Sequence, residues 1–268
     1  MHRPFAVPAH LDNVVVLVAH SEQQVSGSVG AFATRSPAPF GLRVSGGAWG
    51  MGPKDKLKML EYFVEGLRDF KGLVSSGATR DVTEGGLIDP MVTDVPAALL
   101  SKYGEERILT LSTLPRTGEL RLVDDSRLIM VDAINDTYYP QPGVHMIIVF
   151  QTEDTFEVLG WDGDLDGYFG LFNRQREYGW NWGMPIWNGG GTTLKEMVRA
   201  ATYGWPVFVV NNTGRRANDV ANYVLKGVPI PDTDIVISEA ARSRFFIVDR
   251  DDPGTLRAAL RKTGLIAT

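Results

Sequence analysis

The sequence contains no cysteine and only four histidines, His2, His10, His20 and His145. The first absence excludes disulfides, thiolate zinc sites and a cysteine nucleophile, and the second leaves little for a histidine-rich metal site. Acid and metal chemistry would therefore fall to carboxylates. Basic charge is also short: 27 Lys and Arg stand against 32 Asp and Glu, a formal charge of -5. A nucleic-acid partner is not expected, because phosphate neutralisation calls for a basic surface. Long apolar runs are missing too. The stretch Val14 to Ala19 is far shorter than a membrane span, and Met1 to Pro8 lacks the basic patch and apolar run of a signal peptide, so no membrane association and a cytoplasmic location are expected.

What is present is a chain able to bury a substantial core, 268 residues with 44% hydrophobic character. No low-complexity linker divides it, so residues 1–268 read as one domain: an N-terminal extension over 1–38, a core over 39–226 and a completing segment over 227–268. Asn13 to Ala19 reads as a strand within that extension. Gly41 to Ser45 then reads as a strand, Gly46-Gly47-Ala48 as a turn, and Pro53 to Phe70 as a helix with Leu57, Leu60, Phe63, Val64, Leu67 and Phe70 at helical spacing. Gly72 to Ser75 is a second strand, and the strand, helix and strand fit a parallel crossover. Between Asp81 and Pro142 the pattern predicts a helix over Val95 to Tyr103 and strands at Ile108 to Leu111 and Leu128 to Val131. Strands are expected at Val144 to Phe150, Thr155 to Leu159, Met184 to Trp187, Pro206 to Val210, Ile235 to Ser238 and Phe245 to Val248. Helices follow Thr193, span Ala217 to Lys226, and close the chain over Pro253 to Lys262. Of six tryptophans, four lie between Trp161 and Trp187, which suits a core face or an aromatic wall for a planar ligand.

Four small-residue turns follow these strands: Gly46-Gly47-Ala48, Gly77-Ala78-Thr79, Asn188-Gly189-Gly190-Gly191-Thr192-Thr193, and Thr213-Gly214-Arg215-Arg216. In an open parallel sheet they would share the carboxyl edge, where backbone N–H groups and helix N-termini attract an anion. Arg215 and Arg216 supply planar cationic donors for a diphosphate, while Asp219 can receive a ribose hydroxyl or cap its helix. Cations at a helix start oppose the macrodipole and would gain from a bound anion. Asp162-Gly163-Asp164-Leu165-Asp166-Gly167 mimics half of a calcium loop, but Asn173 stands where the bidentate glutamate belongs, and no metal site is expected. The same carboxylates can instead reach ribose hydroxyls or orient a water, with Trp161 and Tyr168 available to stack on a purine.

The stretches Val44-Ser45-Gly46-Gly47-Ala48 and Ser75-Ser76-Gly77-Ala78, the segment Gly163 with Gly167-Tyr168-Phe169-Gly170, and Pro206 to Asp219 together resemble the SLOG superfamily, in its TRPM-like branch. That branch occurs in prokaryotes and in the cytosolic N-terminus of melastatin-type TRP channels. The resemblance runs from about Pro39 to Leu225 and departs at Asn212, where the family has glycine, and by one extra residue before Arg215 and Arg216. It implies an α/β fold, a Rossmann-like mostly parallel sheet flanked by helices on both faces. It also implies binding or sensing of a nucleotide-derived ligand such as ADP-ribose or cyclic ADP-ribose, more often than catalysis, with no required cofactor. A homo-oligomer and a separate effector protein both remain open. Residues Asn188 to Glu196 are also similar to the Pro-Gly-Gly-x-Gly-Thr-x-x-Glu motif of SLOG phosphoribohydrolases, with Asn188 and Thr192 departing from it. That second resemblance makes Glu196 the catalytic carboxylate of an N-glycosidic hydrolase acting on a nucleoside monophosphate; the competing reading is a first-turn helix residue favoured by the dipole.

Overall fold

The computed structural model describes residues 14–47, 50–77, 79–80, 91–123, 127–132, 137–140, 144–152, 159–160 and 162–266. The chain opens with β1 (Val15–Ala19), α1 (Glu22–Ala33), β2 (Phe40–Arg43), β3 (Ser45–Gly47), α2 (Pro53–Gly66), β4 (Gly72–Gly77) and β5 (Thr79–Arg80). A short 3-10 turn at Val92–Asp94 runs into α3 (Val95–Tyr103), followed by β6 (Ile108–Pro115), β7 (Gly118–Val123), β8 (Arg127–Asp132), β9 (Thr137–Pro140) and β10 (Met146–Phe150). The remainder is α4 (Leu165–Glu177), β11 (Asn181–Asn188), α5 (Gly191–Thr202), β12 (Val207–Val210), α6 (Arg215–Lys226), α7 (Glu239–Arg242), β13 (Phe245–Val248) and α8 (Pro253–Lys262).

Among the described residues nine strands form one sheet in the order β1-β10-β6-β4-β2-β11-β12-β13, with β3 beside β11. Every pairing in it is parallel. A small antiparallel sheet, β5-β9-β8-β7, stands apart from it. Side chains alternate across the main sheet with period two. Met184, Ile186, Val207 and Val209 face a core shared with α1, α4, α5 and α6, whereas Leu42, Val74, Phe208 and Val210 face a second core shared with α2, α3 and α8. Parallel sheets need such cover on both faces, and the result is an α/β, Rossmann-like architecture. No helix among the described residues is long and apolar enough to cross a membrane.

Central β11 carries Pro185, a residue that removes a ladder donor and is unusual inside a sheet. The chain accommodates it by splitting the neighbouring strand. Residues 181–183 of β11 pair with β2, residues 186–188 pair with β3, and Pro185 sits at the junction. Val44 lies at the same break and donates its N–H to Ser75 O at 2.7 Å. Gly46 and Gly47, expected as a turn, are therefore strand residues paired with Trp187 and Asn188.

Several expectations change in detail. Helix α2 stops at Gly66, four residues short of Phe70, and Gly66 packs closely on Leu256 of α8; the inward face is Met59, Tyr62, Phe63 and Leu67, and Leu57 is exposed. Residues Ile235 to Ser238 form no strand. Ile235 and Ile237 pack on the core beneath α6, where Tyr223 OH donates to Ile237 O at 3.3 Å, and Ser238 caps α7. The first 38 residues contribute more than a strand, since β1 edges the sheet and α1 packs on α4. Of the strand expected at Thr155 to Leu159, residues 155–158 lie outside the described residues.

Trp182, Trp187 and Trp205 are fully buried, and Trp182 stacks on Phe172 with ring centroids 3.9 Å apart and on Trp205 at 5.6 Å. They are core residues and not a ligand wall; Trp161 lies outside the described residues. Trp205 also donates its Nε1 hydrogen to Asn173 at 3.1 Å. Truncating a buried tryptophan removes its packing and leaves a cavity, so Trp205→Ala is expected to lower stability by about 3–5 kcal/mol. Urea unfolding should show a lower midpoint at unchanged slope, and an unshifted midpoint would contradict this packing.

Candidate functional site

The polarity of a parallel sheet sends the carboxyl ends of all its strands to one edge, and the glycine-bearing ends converge there. Gly46, Gly47 and Gly77 line one cavity of about 160 Å³, together with Arg43, Ser45, Thr93, Thr113, Asp164, Thr192 and Glu196 among others. Gly46 has φ +152°, and a Cβ at that position would lie 2.0 Å from Trp187 O, so no other residue fits this approach of β3 to β11. Asn188 continues the junction by donating Nδ2–H to Gly47 O at 2.7 Å, and its backbone N–H bonds Thr213 Oγ1 at 2.9 Å. Thr213 in turn donates to Val210 O at 2.8 Å, so its hydroxyl ties two turns together.

The two arginines have different roles. A Cβ added at Gly190 would lie 3.0 Å from Arg215 Nη2, and one added at Gly47 would lie 3.7 Å from Arg215 Nη1. The Arg215 guanidinium thus rests over the glycine turns at the start of α5, on a backbone held at φ +44°. Arg216 turns away from them. It pairs with Asp219 at 3.2 Å and bonds the carbonyls of Pro231 at 2.6 Å and Asp232 at 3.2 Å. Asp219 is engaged in that tie, and none of Arg215, Arg216 and Asp219 lines the cavity itself; Arg215 lies beside it, next to the lining residue Gly47.

Other expected residues serve the frame. A Cβ on Gly189, at φ +99°, would meet Thr193 at 2.5 Å, and Thr193 is buried beneath this turn. Gly190 and Gly191 begin α5, and Thr192 reaches the cavity. Gly163 packs in the turn ahead of α4, and Asp162 pairs with Lys195 at the surface. Ala48 and Ala78 lie outside the described residues, and Thr79 is placed only as strand backbone. The calcium pattern dissolves into a helix start: Asp162 meets Lys195, Asp166 meets Arg199, and Asp164 turns inward to Thr113. Among the described residues no group of three or more acidic, histidine or cysteine side chains can hold a metal.

Beneath the glycine rim lies a buried polar cluster that joins Glu196 and Asp164 to Arg43 and Thr113, which the motifs did not single out. Arg43 and Ser45 point from β2 and β3 to the same face as Ser75 of β4 and Thr113 of β6, where apolar residues would otherwise continue the core. Arg43 Nη1 donates to Ser75 Oγ at 3.3 Å and to Thr113 Oγ1 at 3.2 Å, and Nη2 reaches Glu196 Oε1 at 3.3 Å. Tyr168 OH donates to the same Glu196 oxygen at 2.6 Å, and Ser45 donates to Oε2. Burial, then the Glu196 charge, holds the Tyr168 hydroxyl well above its ordinary value, so it stays a donor. The Tyr168 ring lies under the Arg43 guanidinium, 4.2 Å from its centroid, and is fully buried; it is no platform for a purine. Glu196 sits in the second turn of α5, 5% exposed, and its fixed donors replace the expectation of a first-turn residue held by the helix dipole.

Asp164 completes the cluster, accepting from Thr113 Oγ1 at 2.8 Å. Burial pushes its carboxyl up to about 6, with Glu196 adding to the shift and Arg43 and Thr113 opposing it. One cation faces two carboxylates, and the cluster is balanced when Asp164 holds a proton. Arg43, Ser75 and Thr113 had one sequence signal. Strands buried on both faces should read as continuous apolar runs, and Arg43, Ser75 and Thr113 interrupt theirs near the carboxyl ends.

Against known structures the chain is similar to TM1055, a structural genomics target, at 12% identity over 83% of this chain and 98% of that one, with a TM-score of 0.47. It is also similar to the molybdenum cofactor binding protein from the phototrophic bacterium Rippkaea orientalis, at 12% identity over 84% and 95%, with a TM-score of 0.43. No protein-family model matches the chain, and no curated protein does. The functional reading therefore stands on the cavity.

A folded carboxyl near 6 against an ordinary value of 3.8 has a definite consequence for stability. The folded state binds this proton more tightly than the unfolded state, so the contribution is full below about pH 3.8 and disappears as pH rises through 6. Its size is on the order of 3 kcal/mol. Asp164→Asn cannot ionise, so the melting temperature of the wild type should fall relative to this variant between pH 4 and 6. A constant difference across that window would show that Asp164 titrates normally.

Proposed function

We propose that the chain binds a nucleotide-derived ligand, of the ADP-ribose or cyclic ADP-ribose kind, at the carboxyl edge of its sheet. The observation that carries this reading is the position of Arg215, whose guanidinium lies over Gly47 and Gly190 at the start of α5. Backbone N–H groups, a helix N-terminus and a planar cation then address one anion. The deeper cluster, with one arginine against two carboxylates, repels phosphate and suits hydroxyl groups. A phosphorylated ligand accordingly places its phosphate at the Arg215 rim and its ribose over Thr192, Glu196 and Asp164. The resemblance of the glycine turns to the TRPM-like SLOG branch supports the same ligand class.

A second reading, an N-glycosidic phosphoribohydrolase acting on a nucleoside monophosphate, is favoured by one observation. Two carboxylates, Asp164 and Glu196, line the same cavity with Arg43. A binding module needs acceptors there; acid–base chemistry needs two carboxylates in unlike environments.

Thermal unfolding in the presence of ADP-ribose, cyclic ADP-ribose, AMP and ribose 5-phosphate tests the binding reading. A ligand present at a hundredfold excess over its Kd should stabilise the fold by about 2.7 kcal/mol. Arg215→Ala should abolish the shift and Arg216→Ala should keep it. No shift with any of the four ligands, or equal loss in both variants, would count decisively against the rim as the phosphate site.

A further inference from the structure

We propose that Asp164, and not Glu196, accepts the proton of an attacking water in this cavity, the substrate being an N-ribosyl 5′-phosphate. The proposal rests on the hydrolytic reading and reverses the role that the sequence motif gives to Glu196. A carboxylate can take a proton from a water only through an oxygen that the water can reach. Glu196 receives Tyr168 at 2.6 Å and the Arg43 guanidinium at 3.3 Å on Oε1, and Ser45 on Oε2. Both of its oxygens are committed to groups of the protein. It pairs with Arg43, and its work is to fix that side chain beneath the cavity.

Asp164 is placed otherwise. Among the described residues Thr113 is the only side chain that hydrogen-bonds it, on Oδ2, and Asp164 lines the cavity from the start of α4. The charged and titratable groups facing it are Arg43 on β2, Glu196 on α5 and Tyr168 on α4. Its carboxyl is raised to about 6 by burial, close to the value at which a base is both ionised and strong near neutral pH. The step balances without any cofactor. Water oxygen forms a bond to the anomeric carbon and passes a proton to Asp164; the carbon–nitrogen bond breaks with its electron pair on the departing base, which takes up that proton. The products are ribose 5-phosphate and the free base.

The test follows release of adenine from AMP by chromatography as a function of pH. The wild type should show a rate that rises through pH 6 and then levels. Asp164→Asn should lower kcat on the order of 100-fold or more, change KM little, and remove the rise. Glu196→Gln should keep the rise and move it to lower pH, because the charge that raises Asp164 is gone. Thr113→Val should move it to higher pH, because the donor that stabilises the carboxylate is gone, and this variant carries the test should Asp164→Asn fail to fold. A rise that survives in Asp164→Asn, or is lost in Glu196→Gln alone, overturns the proposal. So does a wild type that is heat-stabilised by AMP and releases no adenine, an outcome that leaves the binding reading intact. Neither stabilisation nor release would overturn both.

Discussion

The ion pair between Arg43 and Glu196 is the constraint around which the carboxyl edge is organised. Both side chains are almost fully buried, 5% and 7% exposed, and removing two charges from water is costly enough that such pairs seldom add stability. The cost is contained by giving every charge several partners. Arg43 has Ser75, Thr113, Glu196 and the Tyr168 ring, and Glu196 has Arg43, Tyr168 and Ser45. These partners come from β2, β3, β4, β6, α4 and α5, so the network fixes the relative positions of the central strands and two covering helices. Leaving either charge without the other would cost about 3–5 kcal/mol, and the positions of α4 and α5 depend on the pair remaining whole.

A parallel sheet supplies the geometry on which that network rests. Alternation puts Arg43 and Ser45 on the face that α4 and α5 cover, while Leu42 and Val44 join the opposite core. Glycine at 46 lets β3 come within contact of Trp187 O, and Asn188 then crosses to Gly47 O. The split of β2 from β3 opposite Pro185 is what turns the strand ends into a rim above the cluster. One local rule, that proline cannot donate to a ladder, thus reaches the site through strand pairing.

Much of this was legible in the sequence where a pattern repeats within a short window. Val95–Tyr103 is the helix that its apolar spacing predicts, and the strands at Val207–Val210 and Phe245–Val248 follow from runs of β-branched and aromatic residues. Helix α1 was hidden because Ser26, Gly27, Ser28 and Gly30 are poor helix formers; the tertiary contacts of Val25, Val29 and Phe32 decide it. The glycine turns and Glu196 were legible as motifs. Which of the two arginines lies over Gly47 and Gly190 was not, since Arg215 and Arg216 are neighbours in sequence and only the tie of Arg216 to Asp219 and the 231–232 carbonyls separates them. Arg43 escaped for a similar reason: its partner Glu196 lies 153 residues away in the chain, a relation that no local spacing encodes; Asp164 was legible only as one of the carboxylates of the 162–167 segment.

Stability and chemistry pull on the cluster in opposite directions. A core built for stability alone would replace Arg43, Glu196 and Asp164 with apolar residues of like volume, because the pocket retains a carboxylate whose ionisation the fold opposes. Perturbed groups of this kind concentrate where a protein does work. The surroundings fit that interpretation: the polar groups sit on strands, on helices and at the start of α4, tied by mutual hydrogen bonds, and the rim above them is made of the glycine ends of β3 and β4. Rigid support below and small residues above let a ligand approach backbone N–H groups without displacing the charges beneath. A surface cluster would need no such cover, and a purely structural ion pair would need no open cavity beside it.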